Sequence, residues 1–111
     1  MNNYIPKRGD AVWLDFNPQT GREQAGRRPA FVVSPATYNE KVGLALLCPV
    51  TSRVKGYPFE VVIPDGFPVS GVVLSDQLKS LDWRQRRADF ICALPKAVTQ
   101  EVIKKVEALI R

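Results

Sequence analysis

The chain has 111 residues, of which 45% are hydrophobic, and this is enough for one domain with a modest core. It contains no histidine, which excludes imidazole as a general acid, a general base or a metal ligand. The formal charge of +5 favours a polyanionic or acidic partner, because basic side chains release counterions when they neutralise phosphates.

The residue pattern gives no sign of a membrane anchor, a signal peptide or a disulfide framework. No stretch approaches the roughly 20 apolar residues that span a bilayer, and the start, MNNYIPKRGD, lacks the charged-then-apolar pattern of a signal peptide. Cys48 and Cys92 are too far apart for a metal or disulfide framework, so we expect buried thiols without a chemical role. We therefore expect a single cytoplasmic domain over residues 1–111.

The first predicted strand covers residues 10–16, where Val12 and Leu14 alternate with residues of the opposite face. A loop of about ten residues follows, a length typical of connections that carry function. The loop enters a second predicted strand, residues 30–34, within the stretch 21–35 that reads GREQAGRRPAFVVSP. A charged cluster at the root of a core strand is well placed for chemistry, although an ordinary solvated hairpin loop has the same pattern.

A short helix and a third strand are predicted next. A Ser-Pro pair favours a helix start, and the helix at about residues 36–41 closes at Gly43. Residues 44–50 form an apolar run too short for a helix, and Pro49 predicts that this strand ends at a bulge or a sheet edge. Thr51 then lies at the strand end, where its position is well determined.

The second half of the chain alternates short strands with turns and ends in a helix. Strands are predicted at residues 59–63 and 71–74, the second continuing with alternating character to Leu81. A last strand, about 89–94, precedes an amphipathic helix at about 96–110. Five to seven short strands with one terminal helix predict a mainly β fold, a small and strongly curved antiparallel sheet or barrel.

Five short motifs occur in order along the chain. They are Arg8-Gly9-Asp10, Glu23-Gln24-Ala25-Gly26 before Arg28-Pro29, Ser34-Pro35, Lys55-Gly56-Tyr57-Pro58-Phe59-Glu60-Val61, and Asp76-Gln77-Leu78-Lys79-Ser80. One such motif alone means little, whereas five collinear motifs with compatible spacing make chance agreement improbable. Over nearly its whole length the chain resembles the MazF/PemK family of toxin–antitoxin ribonucleases, and it is more similar to the chromosomal MazF branch than to the plasmid PemK/Kid branch.

The resemblance implies a fold and an activity that composition could not supply. The implied fold is the Src-homology-3-like barrel of MazF, PemK and CcdB toxins, in a symmetric homodimer. The implied activity is cofactor-free, metal-independent and sequence-selective cleavage of single-stranded RNA, which inhibits translation and growth. In the family mechanism the RNA's own 2′-OH attacks, leaving a 2′,3′-cyclic phosphate and a free 5′-OH. The implied partner besides RNA is a cognate antitoxin whose disordered acidic tail blocks the site.

Three residues match the family's catalytic positions. Arg28 matches the arginine before proline, and its planar, permanently charged guanidinium suits phosphate oxygens, so it is assigned to charge stabilisation. Thr51 matches the threonine at the strand end, whose hydroxyl could hydrogen-bond the scissile phosphate. Glu23 matches the glutamate of the first loop, as base or positioning group. Which group is the general base and which the general acid stays open.

Eight further residues are predicted to bind RNA: Arg22, Gln24, Arg27, Ser52, Arg53, Lys55, Asp76 and Gln77. Phosphate contacts hold the strand, and amide or hydroxyl groups read exposed base edges; a solvated surface position is the alternative for each. Asp76 and Gln77 are predicted to read bases or orient a loop, with a purely structural role as the alternative. The plasmid branch pairs this aspartate with an arginine two residues earlier, where the chain has Leu74, and uses a histidine in the first loop that is missing here.

Aromatic and arginine residues elsewhere have two interpretations each. The aromatic residues Trp13, Tyr57, Phe59 and Trp83 could stack bases, although core or dimer packing is favoured for those in strands. The cluster of Arg84, Arg86 and Arg87 could contact RNA or the antitoxin's acidic tail.

Two other functions stay open. Gyrase-poisoning toxins use the same barrel to inhibit a protein partner without catalysis, although the joint presence of Glu23, Arg28 and Thr51 argues for the enzyme. The other alternative is an inactive relative that binds RNA without cutting it. Loop conformation decides which bases are recognised, and similarity to the MazF branch gives ACA as a first expectation.

Overall fold

The computed structural model describes residues 3–17 and 26–111, which form an antiparallel sheet and two helices. The strands are β1 Asp10–Asp15, β2 Arg27–Val32, β3 Leu44–Thr51, β4 Glu60–Val62, β5 Val72–Leu74, β6 Lys79–Asp82 and β7 Asp89–Ala93. The helices are α1 Ala36–Val42 and α2 Lys96–Ile110, and a 3-10 turn spans Ser75–Gln77. The predicted mainly β class, the short helix and the terminal helix are thus confirmed.

Strand β3 is the centre of the sheet. The strand order is β4-β5-β3-β2-β1-β7, and β6 also pairs with β3. Residues 44–47 of β3 pair with β6, whereas Val50 and Thr51 pair with β5, so β3 changes partner along its length. Every described pairing is antiparallel. This change of partner bends the sheet around the end of β3, where Thr51 lies.

Both faces of the sheet are buried, because successive side chains of a strand point to opposite sides. One face, with Phe31 and Val50, packs against Val98 and Val102 of α2. The other face surrounds Leu47 and includes five more large apolar residues. They are Val12, Leu14, Phe16, Val32 and Trp83. Two layers of core therefore hold β3 rigidly on both sides.

The prediction that the strand ends at Pro49 is wrong, since β3 continues to Thr51 and Pro49 lies opposite Ala30 of β2. The proline is tolerated because β6 pairs only as far as Leu47 and β5 begins to pair at Val50. A missing N–H between these two pairings leaves no ladder hydrogen bond unmade.

The second strand begins three residues earlier than predicted, at Arg27, and contains Pro29. Pro29 lies opposite Trp13 of β1 and precedes the first β2–β3 pair, Ala30 with Pro49. Along an antiparallel pair, hydrogen-bonded and non-hydrogen-bonded positions alternate. Phe16 N donates to the carbonyl of Gly26, so the position of Pro29 is a non-hydrogen-bonded one and its nitrogen faces away from β1. The early start matters because it places two arginines inside a strand.

Two smaller predictions are also wrong. The alternating strand expected up to Leu81 is interrupted by the 3-10 turn Ser75–Gln77 before β6 begins. The serine expected to cap α1 does not, since Pro35 is the N-cap and Ser34 Oγ instead donates to Asn39 Oδ1.

No helix within residues 3–17 and 26–111 is long and apolar enough to cross a membrane.

The two cysteines are free thiols, as predicted. Cys48 is buried, and burial raises the pKa of its thiol to about 12. Cys92 is only half-buried, which departs from the expectation, and burial followed by the charge of Asp10 raises its pKa. Both thiols therefore stay protonated at neutral pH.

Candidate functional site

The end of β3 places Thr51 at the wall of a cleft of about 660 Å³. Thr51 is only 6% exposed, and its Oγ1 accepts a hydrogen bond from Arg53 N at 3.1 Å. That bond uses an oxygen lone pair and leaves the hydroxyl proton free to donate. The cleft is also lined by Arg53, Lys55, Tyr57, Glu60, Asp76 and Gln77.

The backbone of Thr51 is fixed by a close approach from Gly71. Gly71 has a φ of +106°, and a Cβ there would lie 2.1 Å from the carbonyl oxygen of Thr51. Both the conformation and the contact require glycine. The position of the Thr51 hydroxyl therefore depends on the strand neighbouring β3 as well as on β3 itself.

Arg28 of β2 lines a second cleft. Its volume is about 250 Å³, and its wall includes Val50 and Ser52, the residues on either side of Thr51. The two clefts therefore flank the segment of residues 51–53.

Arg27 has a different environment, although it is the next residue in the strand. It lies opposite Asp15, and its Nη1 donates to Asp15 Oδ1 at 3.0 Å. Its Nη2 donates to Asp89 Oδ2 and to the carbonyl of Arg87, each at 2.8 Å. Neither cleft includes Arg27. The guanidinium of this predicted RNA-binding residue is thus engaged by its own chain.

Asp15 is the anion at the centre of that second group. Its Oδ2 accepts a hydrogen bond from Arg87 Nε at 2.9 Å, in addition to the bond from Arg27. The hydrogen bonds from Arg87 and then Arg27 lower the pKa of the Asp15 carboxyl. In return, Asp15 raises the pKa of Arg87. We call Asp15, Arg27, Arg87 and Asp89 the Asp15 cluster.

The 3-10 turn places Asp76 and Gln77 in the larger cleft. Asp76 Oδ1 accepts a hydrogen bond from Tyr57 OH at 2.8 Å, so Asp76 has a loop-orienting contact. Burial and then this bond raise the pKa of Tyr57 to about 12. Gln77 Oε1 is buried and has no hydrogen-bond partner among the described residues. The two roles predicted for Asp76 and Gln77, orienting a loop and reading bases, are thus both compatible with these contacts.

Three predicted residues, Arg22, Glu23 and Gln24, lie outside the described residues. The described ends of their loop are held together at its root. Phe16 N donates to the carbonyl of Gly26 at 2.8 Å, and Gly26 N donates to Asn17 Oδ1 at 3.1 Å. The loop therefore starts and ends beside β1 and β2, next to Arg28.

The aromatic and arginine residues for which the sequence left two interpretations have different surroundings in the structure. Trp83 is 5% exposed and donates from Nε1 to the carbonyl of Asn39, so it is a core residue, whereas Trp13 is 43% exposed. In the arginine cluster, Arg84 stacks over Trp83, and Arg86 donates to the carbonyl oxygens of Asp15 and Asn17. The contacts of Arg86 and Arg87 within their own chain support a structural role.

Glu60 opens β4 and is 8% exposed, and no role was predicted for it from the sequence. Its two carboxylate oxygens accept hydrogen bonds from the backbone N–H groups of Lys55 and Gly56. The available signal was a glutamate inside the predicted strand 59–63, within the motif that begins at Lys55. A charged residue can be buried in a short apolar strand when hydrogen bonds replace its lost contacts with water.

Known proteins resemble this chain in sequence and in structure over nearly its full length. The family "PemK-like, MazF-like toxin of type II toxin-antitoxin system" matches residues 7–110. The endoribonuclease toxin MazF of Escherichia coli K12 is 46% identical over 110 residues, which cover 99% of this chain and 98% of the relative.

Solved structures give the same result. Crystal structures from Deinococcus radiodurans match with TM-scores of 0.94 for MazF and 0.87 for a MazE–MazF complex. Their identities to this chain are 56% and 51%, and each match covers 97% of this chain with 98% and 97% of the matched chains. The chain therefore belongs to the PemK-like, MazF-like toxins of type II toxin–antitoxin systems, as the five motifs indicated.

Proposed function

We propose that the two clefts beside residues 51–53 form one groove in which this endoribonuclease toxin binds single-stranded RNA and cleaves it. The observation that supports this most directly is that the motif-matched Arg28 and Thr51 line two clefts that meet at residues 51–53, the larger of which also holds Arg53 and Lys55. A groove lined by cations and hydroxyl groups fits a phosphodiester backbone.

The proposed reaction is transesterification within the RNA. The ribose 2′-oxygen forms a bond to phosphorus as its proton leaves, and the bond from phosphorus to the 5′-oxygen breaks. The departing 5′-oxygen takes the bonding electrons and is protonated. The products are a 2′,3′-cyclic phosphate and a 5′-OH end, so atoms balance without water or a metal ion as reactant.

Arg28 is assigned to the negative charge that builds up on the phosphoryl oxygens. A guanidinium holds its charge at every physiological pH and offers two parallel donors to a phosphate. Donors aimed at developing charge are commonly the largest single contribution to catalysis. Thr51, with its hydroxyl proton free, is assigned to donate a hydrogen bond to the same phosphate.

The two proton transfers need further groups. Glu23, in the first loop, is proposed as the base or as the group that positions the 2′-OH, since carboxylates are the natural candidates in a chain without histidine. Arg22 and Gln24 of the same loop are proposed to contact the RNA.

The remaining cleft residues are proposed to hold the RNA strand. Arg53 and Lys55 are assigned to phosphates, and Ser52 to a phosphate or a base edge. Asp76 and Gln77 are assigned to base reading, since both line the larger cleft. Trp13 can offer an exposed face for stacking.

The partners are proposed on the same basis. An antitoxin with an acidic tail would compete with RNA for the cationic groove, and a MazE–MazF complex is known for the Deinococcus relative. We also propose a symmetric homodimer acting in the cytoplasm, as the family resemblance implies. The exposed Leu109 and Ile110 at the end of α2 leave apolar surface for a protein contact.

The function can be tested with purified protein and a mixed pool of single-stranded transcripts in EDTA. We expect cleavage at discrete sites, with 5′-OH ends that can be sequenced directly to give the recognition sequence, and ACA is the first sequence to look for. Uniform cleavage, or cleavage that requires a metal ion, would contradict the proposal. Growth arrest with intact messenger RNA would instead favour inhibition of a protein such as gyrase, and RNA binding without a cyclic-phosphate product would favour an inactive relative.

A further inference from the structure

Glu60 is a buried carboxylate in a cleft that is rich in cations. It lines this cleft with Arg53 and Lys55, yet in residues 3–17 and 26–111 it forms no ion pair with either. Removing a carboxylate from water is costly unless hydrogen bonds replace the lost hydration. The partners of Glu60 therefore indicate why the residue is there.

Both partners are backbone groups of the basic loop, which we define as residues 52–57. Lys55 N donates to Glu60 Oε2 at 3.0 Å, and Gly56 N donates to Oε1 at 2.8 Å. Gly56 has a φ of +84°, and a residue in this conformation lets consecutive N–H groups point at one anion. Hydrogen bonds to an ionised acceptor are roughly twice as strong as neutral ones.

The end of the basic loop has its own attachments. Tyr57 OH is bonded to Asp76, and Lys105 Nζ donates to the carbonyl oxygens of Pro58 and Glu60. Glu60 instead holds the middle of the loop, at the residue whose side chain lines the cleft. Because the carboxylate is occupied by backbone N–H groups, the side-chain charge of Lys55 is left for another anion.

We propose that Glu60 is a positioning residue for RNA binding. By holding the N–H groups of Lys55 and Gly56, it fixes the basic loop in the conformation that presents Arg53 and Lys55 to the RNA phosphates. The inference rests on the proposed function, since it requires the larger cleft to be part of the RNA groove.

Simple electrostatics predicts the opposite effect of removing this carboxylate. Neutralising an acid beside the groove makes the protein more positive, and RNA should then bind more tightly. If Glu60 positions the basic loop, its removal should weaken RNA binding. The basic side chains of a loosened loop lose more conformational entropy when they contact the phosphates. The sign of the change therefore separates the two explanations.

The test compares Glu60→Gln with Glu107→Gln, which makes the same change of charge on the exposed surface of α2. One measurement gives KM and kcat for a single-stranded RNA oligonucleotide that contains a site cleaved by the unmodified protein. The other gives Kd for the same sequence with 2′-O-methyl riboses, which lacks the attacking hydroxyl, at several salt concentrations.

We expect Glu60→Gln to raise KM and Kd about tenfold while kcat changes less than about threefold. The slope of log Kd against log salt concentration should fall by about 0.7 for each lost phosphate contact. Amide proton signals of Lys55 and Gly56 should move in the same variant. Glu107→Gln should bind RNA as the unmodified protein does, or slightly more tightly.

A folded Glu60→Gln protein with unchanged or lower KM would overturn the inference. If Glu60→Gln does not fold, Glu60→Asp decides, since its shorter carboxylate keeps the charge but loses at least one of the two N–H contacts. It is expected to raise KM about threefold, and an unchanged KM there overturns the inference as well. If the unmodified protein cuts no RNA at all, the proposed function fails instead.

Discussion

Two groups of basic side chains have opposite surroundings in this molecule. In the Asp15 cluster, Arg27 and Arg87 are paired with carboxylates of their own chain. In the larger cleft, Arg53 and Lys55 form no ion pair within the described ranges. A paired guanidinium has lost most of its attraction for an outside anion, whereas an unpaired cation keeps it. The ion pairs that basic side chains already form therefore indicate a binding surface better than the number of arginines does.

The Asp15 cluster also stabilises an unusual backbone. Arg87 has a φ of +53°, which is uncommon for a residue other than glycine and costs free energy. The guanidinium of Arg87 bonds to Asp15, and its carbonyl accepts from Arg27. Side-chain pairing thus holds the turn between β6 and β7 against β1 and β2. The cluster therefore contributes to the fold.

The sharpest test of this comparison is Arg28→Ala, for which we expect the largest effect. Cleavage should fall by roughly 10²–10³-fold, because the developing charge on the phosphate loses its donor. The thermal unfolding midpoint, Tm, should change little. Arg28→Lys keeps the charge but lacks the two-pronged geometry, so it should recover only part of the rate. Near-normal cleavage by the alanine variant would remove Arg28 from the site.

Thr51→Val is expected to have the next largest effect. Valine has nearly the same shape but no hydroxyl, so cleavage should fall by roughly 10–100-fold in kcat. Thr51→Ser restores the hydroxyl and should recover most of the rate, which separates lost chemistry from lost packing. A valine variant as active as the serine variant would assign Thr51 to structure alone.

Arg27→Ala tests the other half of the comparison, on the neighbouring residue. Loss of its bonds to Asp15 and Asp89 should lower Tm by roughly 4–8 °C, while cleavage at a temperature well below Tm changes less than about threefold. Circular dichroism melts and initial cleavage rates measure the two effects. If cleavage instead collapses while Tm stays the same, Arg27 belongs to the RNA groove, as the sequence analysis predicted.

The smallest expected effect is a pH dependence of stability due to Asp15. Arg87 and Arg27 hold its folded-state pKa below the unfolded value, so the ionised carboxylate stabilises the fold. This stability is fully present above the unfolded pKa, near 4, and is lost as pH falls through the folded pKa. The Tm difference between the unmodified protein and Asp15→Asn should therefore be constant near neutral pH and shrink in acid. A constant difference down to the most acidic condition would contradict the assignment.

Local patterns were sufficient to predict most of the fold. The period-2 pattern located β1, and the period-3.6 pattern located α2 to within a residue. Pro49 was misread because a proline in sequence indicates only a missing N–H. Whether that position faces a partner depends on where β6 stops and β5 starts, which is a property of the assembled sheet.

Site residues that belong to a recognisable motif could be predicted from the sequence. Residues whose role depends on their hydrogen-bond and ion-pair partners in the folded chain were harder to predict. Arg28 and Thr51 were found from motif matches, and their roles stay predictions. Arg27 could not be separated from Arg28, because adjacent arginines differ only in which face of β2 each occupies and Asp15 is twelve residues away along the chain. Glu60 carried no role in the sequence analysis, because its partners are backbone N–H groups, which every residue type except proline possesses.

The contact between Gly71 and the carbonyl of Thr51 has a genetic consequence. Every substitution at Gly71 adds at least a Cβ where no atom fits, and so displaces the strand end that carries the hydroxyl. When cells survive production of this toxin through spontaneous mutation, codon 71 should recur among the inactivated alleles, although Gly71 has no side chain that could act on RNA. A glycine without any chemistry of its own is thus as vulnerable a point in the gene as the arginine assigned to the phosphate.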